Sequence, residues 1–348
     1  MSKFGSVKRV LATTTIVASL AYAPAGLAQE NETVRLGLLR VSSQAPFFVG
    51  AAKGYFEEVG IDVEIVFFDA AVPATLAIAS GDVDLSIVGF IPAFFNLAAD
   101  GSLKVVSGHA RETAGFQNTG FFVSTQAWEA GVREFSDLGG RSLGLTTMGS
   151  TAHFMSAMIA ESAGVDPSSI RYVPAQGLGN LAAMVQGGQT DVVAGASTGF
   201  LPLYQEGQIE LMGWAGDALT MQLSALATSA DMIETRRDAI EAVISVYERV
   251  KDEYYAALVD NRNEDGTFID QALADDFLGI VEEYTGISAG AMSRSISAID
   301  ARLDVGNIVA AAEWYYAQGF MDQPADPAMF LDLSFVEGHE NIPDGFGN

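Results

Sequence analysis

Cysteine is absent from the chain. That absence excludes disulfides, thiolate metal sites, cysteine nucleophiles and a lipid-modified N-terminal cysteine. Histidine is scarce, with three residues in 348, so metal and triad chemistry have few candidates. No metal or other cofactor is expected. Positive charge is scarce too: 18 lysines and arginines face 44 aspartates and glutamates, a formal net charge of -26. Such a chain repels nucleic acid and anionic membrane surfaces, which excludes DNA and RNA as expected partners. The motifs His-Glu-x-x-His and Gly-x-x-x-x-Gly-Lys are missing, and no nucleophile elbow of the Gly-x-Ser-x-Gly type is expected. No apolar run after residue 28 reaches the roughly 20 residues a membrane span needs.

What is present is a packable chain, 49% hydrophobic and 10% aromatic, large enough for two lobes of ordinary domain size. Residues 1–28 read as a removable signal peptide. Lys3, Lys8 and Arg9 form a basic start, Val10 to Tyr22 an apolar stretch, and Gly26-Leu27-Ala28 a small-residue cut site before Gln29. A chain so exported, with no cysteine for a lipid, is expected to diffuse freely in the periplasm.

From Thr33 the pattern alternates strand and helix. TVRLGLL (33–39) and IDVEIVFF (61–68) read as strands, Pro46 opens a helix, Pro73 to Ser80 is a helix stopped by Gly81, and DLSIVGF comes next as a strand. This grammar predicts a mostly parallel sheet with ligands beyond the carboxyl ends of its strands. It recurs at an offset of 107 residues: Leu36-Gly37-Leu38 matches Leu143-Gly144-Leu145, and Ser43, Ala45, Phe47, Gly81 and Asp84 match Ser150, Ala152, Phe154, Gly188 and Asp191. The repeat implies two lobes of similar construction, each with a strand-to-helix corner, RVSSQAPFF at 40–48 and TTMGSTAHF at 146–154.

Helical spacing then dominates near 236–258, 270–284, 288–299 and 306–319, a C-terminal extension expected to pack on the first lobe. MQLSALATS (221–229) reads as a strand returning to that lobe. The lobes are therefore expected at 29–113 with 222–348, and at 114–221. Crossings near 110–120 and 214–221 would make a two-strand hinge able to close on a ligand.

PFFVGAAKGYFEEVGIDVEIVFF, ALAIASGDVDLSIVG, FSDLGGRSLGLTTMGSTAHFM and GQTDVVAG together resemble the periplasmic solute-binding proteins of ABC importers for nitrate, sulfonates and taurine, a group that also includes binders of aromatic acids and pyrimidine-type vitamin precursors. The resemblance implies an α/β, two-lobed periplasmic-binding-protein fold of type II-like form, each lobe a mostly parallel sheet flanked by helices. It implies a monomer that hands a small molecule to a membrane permease and its ATPase. Carried over by position, it implicates Ser42, Ser43 and Gln44 on one side of the cleft. On the other it implicates Thr147, Gly149, Ser150, Thr151 and His153, with Phe90, Ser197 and Thr198 at further turns.

Two readings stay open at each of these positions. A helix starting near Thr151 offers unpaired N–H groups and a partial positive charge to an anion, yet Ser150 could simply cap that helix. Phe47, Phe90, Phe94, Phe116 and Trp214 are either an apolar wall of the cleft or core. Arg40, His109 and Arg111 are candidate counter-charges, although Arg111 could equally pair with Glu112 or another acid. The expected ligand is an organic anion with an apolar or aromatic body. The alternatives are a module presenting ligand to a membrane sensor, and an enzyme of the thiamine-pyrimidine branch that shares the fold but relies on a cysteine-rich stretch missing here.

Overall fold

Strand β1 (Glu32–Leu39) is too apolar to leave a face in water, and it lies inside a sheet. The computed structural model describes residues 31–294, 296–344 and 346, so the expected signal peptide lies outside the described residues. On one side of β1 runs β2 (Ile61–Phe68), parallel, with Leu36 opposite Ile65. On the other runs β3 (Leu85–Gly89), also parallel, with Leu36 opposite Leu85. The antiparallel strand β12 (Ser224–Ser229) lies beside β3, and β4 (Leu103–Gly108) closes the edge.

The second sheet repeats this order. Strand β7 (Ser142–Leu145) lies between parallel β8 (Arg171–Pro174) and β9 (Val192–Ala196), followed by antiparallel β6 (Thr119–Ser124) and the edge strand β10 (Ile209–Trp214). Register repeats as well as order. Leu36 faces Leu85 and Gly37 faces Ser86 in the first sheet, while Leu143 faces Val192 and Gly144 faces Val193 in the second. Each pair sits at the offset of 107 read from the sequence. The paired glycines have a steric reason: a Cβ on Gly37 would lie 2.8 Å from Ser86 Oγ, and one on Gly144 2.8 Å from Leu181 Cδ1.

A half-buried polar clip repeats too. Asp84 Oδ2 accepts the backbone N–H of Arg35 at 2.7 Å, and Asp191 Oδ2 accepts that of Ser142 at 2.7 Å. Both carboxyls are held below the usual range. Burial opposes ionisation, but hydrogen bonds from Arg35 outweigh it at Asp84, and those from Ser142 do so at Asp191.

Between the sheets, β5 (Ala110–Glu112) pairs antiparallel with β11 (Met221–Gln222). A third strand, β13 (Ala298–Ile299), covers the other edge of β5. This corrects the expectation of a helix over 288–299. The helix ends at Met292, and two tyrosines hold residues 297–299 extended. Tyr254 Oη bonds both the N–H and the carbonyl of Ser297, and Tyr255 Oη does the same at Ile299.

The helices Ala45–Ala52, Arg237–Tyr254 and Gln271–Thr285 cover the first sheet, burying Phe47, Phe48, Val243, Tyr247, Phe277 and Leu278. The helix Val305–Ala317 goes elsewhere than expected. Instead of packing only on the first sheet's side, it touches both the helix Pro92–Ala98 and the helix Thr151–Ser162. Phe154 is the reason: its ring lies 5.5 Å from Trp314 and 5.8 Å from Tyr315, centroid to centroid. Among the described residues, no helix is long and apolar enough to cross a membrane.

Candidate functional site

The corner after β7 is the more open of the two. Thr147 and Met148 are exposed, and Gly149 turns the chain at φ 73°, with Phe320 so near that a Cβ would lie 3.2 Å from its ring. Ser150 then caps the helix Thr151–Ser162, its Oγ accepting the N–H of His153 at 3.3 Å. Tyr315 Oη donates to the Ser150 carbonyl at 3.2 Å, which ties the corner to the C-terminal helix.

His153 faces inward. Its ring sits among Tyr172 at 4.4 Å, Trp314 at 5.0 Å and Phe320 at 5.6 Å between centroids. Burial pushes its pKa down to about 4, so the ring is neutral near pH 7. Gly149 N–H donates to Nδ1 at 3.1 Å, which leaves the ring hydrogen on Nε2.

The corner after β1 is braced from behind. Gln44, 3% exposed, accepts the Leu39 N–H at 2.7 Å. The Ser43 carbonyl faces His109 Nε2 at 3.0 Å, while His109 Nδ1 lies 2.9 Å from Ser224 Oγ. A carbonyl only accepts, so Nε2 carries the hydrogen and Nδ1 accepts a hydrogen bond from the Ser224 hydroxyl. Burial pushes the His109 pKa down to about 4 as well.

Two sizeable cavities open near these corners. One, about 480 Å³, lies between residues 146–152 and residues 91–93, with Val72 and Phe320 on its rim. It gathers Thr147, Gly149, Ser150 and Thr151. The other, about 710 Å³, is bounded by Gly115 to Gln117 of the crossing, by Leu201 and Gln205 beyond β9, and by Leu258, Val259, Arg262, Asp265, Gly266, Ser293, Arg294 and Ile296. Ser42 lines neither; it borders a space of about 10 Å³ beside Leu258 and Ile296, roughly one water's worth.

Most of the remaining sequence candidates are placed apart from these cavities. Phe47 stacks between His109 and Tyr247, and Phe90 packs on Phe94 and Phe95, all inside the core. Trp214 is half-buried against Phe122. Arg111 is 7% exposed and bonds Glu340 Oε2 at 2.8 Å and the Arg302 carbonyl at 2.6 Å, so its acid is Glu340 and not Glu112. Arg40 stacks over Phe67 and donates to the Tyr284 carbonyl. Ser197 is buried, its N–H on the Asn118 carbonyl at 2.8 Å, and Thr198 is exposed. Phe116 does line the larger cavity.

Sequence reasoning passed over the far wall of that cavity. Arg262 and Arg294 sit there, and the former stands out in the acidic loop DNRNEDGTF as a base among acids. It also passed over Glu112, whose Oε1 accepts from Asn118 at 3.0 Å while its Oε2 is buried without a partner. Burial pushes the Glu112 pKa up to about 7. One expectation of absence is corrected by the sequence itself: Gly286-Ile287-Ser288-Ala289-Gly290 has the Gly-x-Ser-x-Gly spacing. Its setting is not an elbow, since a helix precedes it and Ser288 caps the next by accepting from Ala291 N–H. Among the described residues, no group of three or more histidines and carboxylates is placed to hold a metal.

Two parallel-containing sheets of matching order, joined by crossing strands, give this chain the periplasmic-binding-protein fold. Residues 42–257 match the NMT1/THI5-like family, and the chain belongs to it. Its structure is similar to that of the periplasmic aliphatic sulphonate binding protein SsuA from Escherichia coli, with a TM-score of 0.68 and 16% identity over 90% of this chain and 97% of that one. The alkanesulfonate-binding protein SsuA from Xanthomonas axonopodis pv. citri, bound to MOPS, matches at 0.65 and 16% identity over 88% and 100%. The periplasmic nitrate-binding protein NrtA from Synechocystis PCC 6803 matches at 0.57 and 12% identity over 84% and 83%. No curated protein matches the chain.

Proposed function

We propose that this protein is the periplasmic solute-binding component of an ABC importer. It captures a small organic anion, a sulfonate or carboxylate, between a first lobe of residues 29–113 with 222–348 and a second of 114–221. Closure about the crossing strands retains the ligand, and the loaded monomer delivers it to a permease and its ATPase. Membership of the NMT1/THI5-like family and the fold shared with sulfonate and nitrate binders support a binding role. The observation that carries the reading is the pair of cavities, each walled by connections from both sheets and each in the size range of small-molecule sites. Thr147, Gly149, Ser150 and Thr151 are the contacts proposed at the smaller one, and Phe116 at the larger.

The test is a thermal-shift screen of sulfonates, aromatic carboxylates, vitamin precursors, nitrate and bicarbonate on the mature protein. A ligand that binds only the native state adds about 2.7 kcal/mol at one hundred times its dissociation constant. Stabilisation by an organic anion is expected. Stabilisation by nitrate alone would overturn the preference for an organic body, and no stabilisation by any compound would overturn the binding role.

A further inference from the structure

We propose that the charged end of the ligand is read in the larger cavity by Arg262 and Arg294, and not at the capped corner after β7. This rests on the binding reading above and assigns its chemistry to one place. In a chain with 44 acids and 18 bases, an arginine without a carboxylate is worth explaining, and among the described residues neither of these two has one within 4.0 Å. Arg262 is instead held by carbonyls: Nε donates to Leu258 O at 2.8 Å, Nη1 to Gly266 O at 2.7 Å and Nη2 to Ser293 O at 2.6 Å.

Three carbonyls fix the guanidinium without neutralising it. Phe268 lies against the group, its ring centroid 4.2 Å from Cζ, and two of its five N–H groups are left over for a ligand. Arg294 is exposed on the same cavity. Phe116, Leu201, Leu258, Val259 and Ile296 line the same cavity with apolar surface. A cavity of about 710 Å³ is far too roomy for an inorganic ion, and it suits an anion carrying an aromatic or long aliphatic body. Asp265 also borders it, but that carboxylate is exposed and occupied by the N–H and hydroxyl of Thr267 at 3.0 and 2.6 Å, so its field is screened by solvent.

The corner after β7 is a weaker claimant. Its Ser150 hydroxyl already accepts from the helix it caps, and its Gly149 N–H is taken by His153.

Calorimetry on the mature protein separates these claims with four probes of one shape: naphthalene-2-sulfonate, 2-naphthoate, 2-naphthamide and 2-naphthylmethylammonium. The wild type is expected to bind at least one of the two anions tenfold or more tightly than the amide. Arg294→Gln, at an exposed position, should lose that tenfold preference while binding the amide as before, and Arg262→Lys should keep part of it. Ser150→Ala, at a contact proposed for the smaller cavity, should change anion and amide binding alike and so keep the anion preference. Retention of the anion preference in Arg294→Gln together with its loss in Ser150→Ala would move the charge to the corner and overturn this assignment, leaving the binding role intact. Tighter binding of the ammonium probe would give the cavity to Asp265 and overturn it likewise. If none of the four binds while another compound stabilises the protein in the thermal screen, the assignment fails alone; if nothing binds in either experiment, both fail.

Discussion

The corners after β1 and β7 occupy equivalent places in two sheets that share strand order and register, yet they are built for different tasks. Behind the first, buried groups converge: Gln44 holds Leu39, and His109 holds the Ser43 carbonyl. The second borders a cavity of about 480 Å³ and is tied by Tyr315 to a helix from the far end of the chain. The two sheets kept what the backbone needs and diverged at what solvent or ligand can reach. Buried strand contacts tolerate little change because a polar group stripped of its partner costs the full desolvation penalty, whereas a loop in water has no such constraint.

The strongest way to break this comparison is at the repeated clip. Asp191→Ala leaves the Ser142 N–H and hydroxyl without their acceptor, and Asp84→Ala strips the Arg35 N–H of its acceptor and the Arg35 guanidinium of its carboxylate, while Arg236 keeps Glu32. Hydrogen bonds to a charged group are worth about 1.5–3 kcal/mol each, so each variant should lose about 3 kcal/mol in urea unfolding. A loss below about 1 kcal/mol at one position only would show that the matching geometry no longer carries matching weight.

That clip was legible in the sequence because Asp84 and Asp191 follow the same glycine at the same offset, and a buried framework preserves spacing. The α/β grammar was legible for the same reason: β1 and β7 carry short apolar runs, and β2 alternates polar with apolar residues. Less legible was anything decided by partners distant in sequence. Arg111 could have served as a counter-charge by its position, but Glu340 lies 229 residues away and takes it. Phe47 looked equally suited to a cleft or a core until Tyr247 and His109 closed on it. The strand at Ala298–Ile299 has a pattern a helix could wear, and its partners, β5 and the two tyrosine hydroxyls, are distant in sequence.

The corner histidines sharpen the comparison through pH. His109 and His153 both have folded pKa values near 4 against 6.5 when unfolded. They take up a proton on unfolding, so their contribution is complete above pH 6.5 and is lost as the pH falls towards 4, by about 1.4 kcal/mol per pH unit for each. Glu112 has the opposite sign. Its folded carboxyl keeps a proton up to about pH 7 while the unfolded one gives it up near 4.5, so stability is lost as the pH rises through that window. Between pH 6.5 and 5.0 the two histidines together should cost about 3 kcal/mol of unfolding free energy and Glu112 should return about 2 kcal/mol, and His153→Gln should remove about 1.6 kcal/mol of the histidine loss. Glu112→Gln should remove that opposing gain and so steepen the fall on acidification over the same window. An unchanged pH profile in His153→Gln would mean that the aromatic cage does not keep its histidine neutral.

The smallest expected effect separates the corner serines. Ser150 Oγ caps the helix Thr151–Ser162, and its replacement by alanine should cost about 1 kcal/mol in the ligand-free protein. At Ser43 it is the backbone carbonyl, present in any residue, that meets His109. Ser43→Ala should therefore stay within about 0.5 kcal/mol of the wild type. Melting of both variants without ligand checks the asymmetry, and calorimetry with naphthalene-2-sulfonate then asks whether either hydroxyl has a second use. If Ser43→Ala proves the more destabilised, the hydroxyl and not the carbonyl braces the first corner, and the contrast between the two corners reverses. If instead the stability order holds and neither variant loses affinity, the serines divide into a cap and a bystander, and the repeated corner is a repeat of backbone geometry alone.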